Sequence, residues 1–136
     1  VTPWPLSVAF PLTLLAGIVL VIGFDVAAAW LTRAAPKQYR ALWPVQFALY
    51  VLIGFCAMLT TLDLRLVETI GALCGLAAST LGWAITWRIG PGRVKKANLA
   101  SVAIVIASMT AFGLGLAIAG AIAFNITARI LMHAPR

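Results

Sequence analysis

Charge is scarce in this chain. Three acids and ten Lys or Arg in 136 residues make it only 10% charged, against about 25% in a soluble domain. A water-facing surface cannot be built from so few charges. With 63% hydrophobic residues, the composition points to an integral membrane protein, a single domain over residues 1–136 with almost nothing outside the lipid. A separate soluble catalytic domain has no place in it.

Other absences narrow the chemistry. His133 is the only histidine and lies in a tail, and one imidazole is too few ligands for a metal or haem site. Cys56 and Cys74 form no Cys-x-x-Cys motif and have no neighbouring base, so they read as small apolar fillers. The Ser and Thr residues have no His beside them to make a nucleophile. No catalytic residues are therefore expected, and the protein is read as not an enzyme. No cofactor is expected either, although bound lipid is compatible with such a chain. The net charge of +7 comes without the aromatic–basic pattern of a nucleic-acid module, so no nucleic-acid partner is expected. Alternating apolar and polar positions are also missing, which removes a β-barrel.

The sequence does contain four long apolar runs, at about 6–31, 41–62, 64–87 and 98–124. Each reaches the roughly 20 residues that cross the bilayer core as a helix. The expected fold is all-α: four transmembrane helices in an up-down-up-down bundle with short loops. Pro36 starts a turn in the first loop, "TTLDLRL" makes a tight hairpin, and Gly90, Pro91 and Gly92 turn the chain in the third. In the hairpin, Arg65 and Glu68 lie three apart and read as a solvated pair. Spans one and three both end in Trp and basic residues, which their shared direction explains without an internal duplication. Asn125-Ile126-Thr127 matches a glycosylation pattern but reads as chance at a membrane surface.

Basic residues set the orientation. Loops one and three carry Arg33, Lys37, Arg40, Arg88, Arg93, Lys95 and Lys96, seven in all, against Arg65, Arg129 and Arg136 on the other side. Basic loops stay cytoplasmic, so both termini are expected outside, in a bacterial cytoplasmic membrane. Arg33, Lys37, Arg40, Arg93, Lys95 and Lys96 are the expected contacts to anionic lipid headgroups. Trp30, Trp43, Trp83 and Trp87 fall at the same basic end, as an interfacial belt would. Span one has no basic segment before it and is followed at once by basic residues, so it reads as a retained span rather than a cleaved signal.

Two features carry functional expectations. The first is Asp25, eight residues before Arg33 and so about 10 Å inside the basic interface. Gln46, Tyr50 and Thr80 lie at a similar depth and are its expected hydrogen-bond partners. This intramembrane polar cluster is a candidate proton site or a device that fixes helix packing. With no second charged residue at its depth, the sequence favours packing. The second feature is in span four, where Gly113, Ala117, Gly120 and Ala121 form a small-residue face that lets another helix approach. Small residues are so frequent there that a contact with another chain is favoured. The leading expectation is a non-enzymatic subunit that packs beside other transmembrane subunits or copies of itself. The alternative is a small proton-coupled transporter or flippase that uses Asp25.

Overall fold

The computed structural model describes residues 4–34, 38, 40–89 and 98–133. Lys37, Arg93, Lys95, Lys96 and Arg136, and the turns at Pro36 and at Gly90, Pro91 and Gly92, lie outside them. Among the described residues every regular element is helical, and four helices are long and apolar enough to cross a membrane. They are α1 (Leu6–Leu31), α2 (Trp43–Thr61), α3 (Leu64–Ile89) and α4 (Leu99–His133). A short 3₁₀ turn, Arg40–Leu42, leads into α2.

Local chemistry explains the ends. Pro5 precedes α1, and Pro44 stands in the first turn of α2, where a missing N–H costs nothing. α2 stops at Leu62, whose left-handed backbone (φ 52°) reverses the chain. The Asp63 side chain then accepts a hydrogen bond from the Arg65 backbone N–H at 2.9 Å and caps α3. Arg65 and Glu68, expected as a pair, form no ion pair among the described residues; the carboxylate that organises this turn is Asp63. Asn98 opens α4 by accepting from the Ser101 N–H at 2.7 Å. α4 runs on to His133, past the expected end near residue 124, because "NITARILMH" contains no Gly or Pro to stop it.

α3 is interrupted. Ala78–Gly82 is one turn of π-helix, in which the Trp83 N–H bonds to the Ala78 carbonyl. The Ser79 and Thr80 hydroxyls both bond to the Leu76 carbonyl, at 3.0 and 2.7 Å. Such back-bonding competes with the regular ladder.

Small residues bring the helices together. Gly54 of α2 lies against the Ala117 backbone, and Gly120 lies against the backbone of Val51, Gly54 and Phe55. On the other side, Gly71 and Gly75 of α3 face Gly113, and Gly75 also faces Met109 and Thr110. Gly113, Ala117, Gly120 and Ala121 are the buried residues of α4. The small-residue face read from the sequence as a contact with another chain therefore packs on α2 and α3 of the same chain. Its density has a geometric cause: one helix is wedged between two others and needs small residues toward both.

Contact register follows from named pairs. Thr13 meets Thr60 at 3.0 Å, Gly17 lies beside Ile53, and Asp25 meets Gln46. Phe47 stacks on Phe112, and Phe55 meets Phe124 edge-on. The core these contacts enclose runs through Val21, Tyr50, Ile53, Ile70, Cys74 and Ala117. Cys56 is exposed and Cys74 buried, both as free thiols. Half of the most apolar stretch of α3 is buried, against 11% for α4, so α4 turns most of its apolar surface outward.

Candidate functional site

The polar site forms where the C-terminal halves of α1 and α3 meet the starts of α2 and α4. Asp25 is buried there at 4% exposure. Gln46, in the first turns of α2, donates from Nε2 to Asp25 Oδ1 at 3.1 Å. Oδ2 accepts no hydrogen bond among the described residues and lies against Gly82 in the π turn. A Cβ at position 82 would overlap that oxygen. Glycine there is what lets the carboxylate sit between α1 and α3.

The expected cluster is only partly assembled. Asp25 and Gln46 are hydrogen-bonded as expected. Tyr50 is fully buried one turn beyond Gln46, but its hydroxyl has no hydrogen-bond partner among the described residues. Thr80 does not belong to the site: it is exposed and its hydroxyl is turned back to Leu76. The α3 residues that line the site are instead Ser79, Gly82 and Thr86, the first two within the π turn. Ser79 and Thr86 are both buried at 3% exposure. Arg33 is exposed, consistent with a headgroup contact, and Arg40 belongs to the 3₁₀ turn at the same end.

Beside Asp25 lies a cavity of about 340 Å³. Its floor is polar and buried: Asp25, Gln46, Ser79 and Thr86. Its rim is open and mostly apolar, with Trp43 and Phe112 each 54% exposed and Ile104 65% exposed, and Ser108 beside them. Between the two, Phe47 and Phe112 stack 5.8 Å apart with nearly parallel rings, and Trp43 stands 6.5 Å from Phe47. Trp83 also lines the cavity. Among the described residues Asp25 is the only charged one in the lining. Among the described residues no group of three or more His, Cys, Asp or Glu could hold a metal ion.

Sequence reasoning assigned Trp43 and Trp83 to an interfacial belt and did not pick out Phe47, Gly82 or Phe112. A hint was available for Gly82, in the Ser-Thr-Leu-Gly interruption of an otherwise apolar helix. Nothing in the sequence signals the stacking of Phe47 on Phe112. The chain matches no protein-family model, no curated protein and no solved structure.

Proposed function

We propose that this protein is a small, non-enzymatic membrane carrier, a proton-coupled transporter or flippase in which Asp25 is the exchanging group. The observation that carries this reading is the Asp25 cavity. A buried carboxyl group with one oxygen held by Gln46 and no ion pair among the described residues sits on the floor of a space large enough for a small molecule. A residue that only fixes packing needs no such space. Ionisable groups inside a membrane typically bind a proton or cation, and π turns recur at functional sites.

The sequence favours a packing role for Asp25 and a larger assembly for the chain. Two structural facts support the carrier reading instead. The small residues of α4 find their partners within the chain, and the polar cluster opens into a cavity. The four helices form an up-down-up-down bundle in this reading. The Thr13–Thr60, Asp25–Gln46, Phe47–Phe112 and Phe55–Phe124 pairings support it.

The carrier sits in a bacterial cytoplasmic membrane with both termini outside and anionic lipid around its basic loops. Lys37→Cys and Lys95→Cys, made in a background lacking Cys56 and Cys74, are expected to react only with a membrane-permeant thiol reagent in intact cells. Labelling by an impermeant reagent from outside would invert the orientation.

The carrier reading is tested with proteoliposomes that hold a pH gradient and a pH-sensitive dye. Solutes from several classes (organic cations, organic anions, neutral amphiphiles) are added in turn. At least one class is expected to dissipate the gradient through the wild-type protein. No protein-dependent proton flux with any class, from a protein shown to be folded, would remove the carrier reading.

A further inference from the structure

We infer that the Asp25 cavity binds an amphiphilic organic cation, a single positive charge on a bulky apolar body, admitted sideways past Trp43 and Phe112 at the basic end of the bundle. The inference rests on the carrier reading and names the substrate class for the same site.

Three observations select this chemistry. The first is charge. Among the described residues Asp25 is the only charged one in the cavity lining, and no described Lys or Arg lines it. A buried carboxylate calls for a countercharge, and the lining supplies none, so the ligand brings it. An anionic ligand would meet only repulsion.

The second is the aromatic wall. Trp43 and Phe112, both at the rim, flank the half-buried Phe47, with centroids 6.5 and 5.8 Å from it. Ring faces attract cations within about 6 Å. They also accept apolar bulk, which suits an organic cation better than a small, strongly hydrated metal ion.

The third is the distribution of polarity. Polar side chains form the buried floor, and the exposed rim is Trp43, Ile104, Val105 and Phe112 with Ser108, whose hydroxyl is turned back to the Ile104 carbonyl at 2.7 Å. A site that drew a hydrophilic ion from water would carry polar groups at its mouth. A mostly apolar mouth on an apolar helix surface suits a molecule already dissolved in the surrounding lipid. The same asymmetry disfavours a zwitterionic lipid headgroup, because among the described residues the lining has no basic side chain to pair with its phosphate.

Equilibrium binding to the full chain in lipid nanodiscs tests this, with two probes of matched shape and opposite charge. Tetraphenylphosphonium is expected to bind saturably above the level of empty discs, and tetraphenylborate is not. Asp25→Asn should weaken tetraphenylphosphonium binding by about thirtyfold or more, the lower end of what losing one partner of a buried charge pair costs. Ser108→Trp, which crowds the lining from α4 without touching the charge, should also weaken it, and guards against misfolding of the Asn variant. Discs of phosphatidylglycerol alone should give the same affinity as discs containing phosphatidylethanolamine.

Equal binding of both probes would overturn the inference. So would the absence of saturable binding, or undiminished binding by either folded variant. Competition by phosphatidylethanolamine would give the site to a lipid headgroup and overturn it as well. Because the assay reads binding and not flux, its failure is distinct from failure of the carrier reading. Proton flux driven only by anions or neutral solutes would keep the carrier and discard the cation.

Discussion

Leucine at Gly54 is expected to prevent the bundle from forming, whereas leucine at Gly115 should leave it intact. The two glycines lie on helices that touch, but their surroundings differ completely. A Cβ at position 54 would overlap the Ala117 carbonyl, Cα and carbonyl carbon. These are backbone atoms of a rigid helix, so no rotamer change relieves the clash. A Cβ at Gly115 meets nothing within 4 Å. Ordinary overpacking of a core costs about 1–3 kcal/mol, and a clash against the backbone of α4 should exceed the upper end. Gly120→Leu should behave like Gly54→Leu, since its Cβ would meet Val51, Phe55 and Gly54 backbone atoms. At Gly115 the substitution also removes a poor helix former, a gain of up to about 1 kcal/mol. The measurement is the midpoint of detergent- or heat-induced unfolding, with Ile104→Leu as a further outward-facing control. If Gly54→Leu and Gly115→Leu unfold together, the close approach of α2 to α4 is wrong.

The second large effect concerns Asp25, where folding and function should separate. Asparagine keeps the carbonyl oxygen that accepts from Gln46 Nε2 but cannot ionise. Asp25→Asn should therefore fold nearly as well as the wild type and lose all coupled proton flux. Asp25→Leu should be the less stable variant, because the buried Gln46 amide then has no acceptor. Leaving such a group unsatisfied costs about 1–3 kcal/mol. The expected order is thus wild type close to Asn and above Leu in stability, but wild type far above both in flux. An Asn variant that folds and retains full flux would return Asp25 to the packing role that the sequence favours.

Both predictions depend on contacts of different legibility in the sequence. The glycines of α4 were visible as a small-residue face; their partners were not. Small residues at i and i+4 mark a close approach, yet they carry no label saying which helix approaches. Only the fold places Gly54 and Gly71 on either side of Ala117. The Asp25–Gln46 contact was partly legible, because equal depth can be counted from the basic ends of two spans. Depth alone could not separate Gln46, which bonds, from Tyr50, whose hydroxyl has no partner among the described residues.

What the sequence determined by itself is the set of four apolar helices and the position of the acid along the first. Hydropathy is a sum over about 20 residues, and errors at single positions average out, so the α1 limits of Leu6–Leu31 could be read directly. What only the tertiary structure decided is which side chains meet. That depends on rotational phase, and each residue turns a helix by about 100°. The π turn at Ala78–Gly82 introduces a shift of that kind into α3. In and beyond that turn Ser79, Gly82 and Thr86 line the cavity, while Thr80 is exposed. Which residues of α3 reach the cavity is thus a matter of helix phase, which no hydropathy average contains.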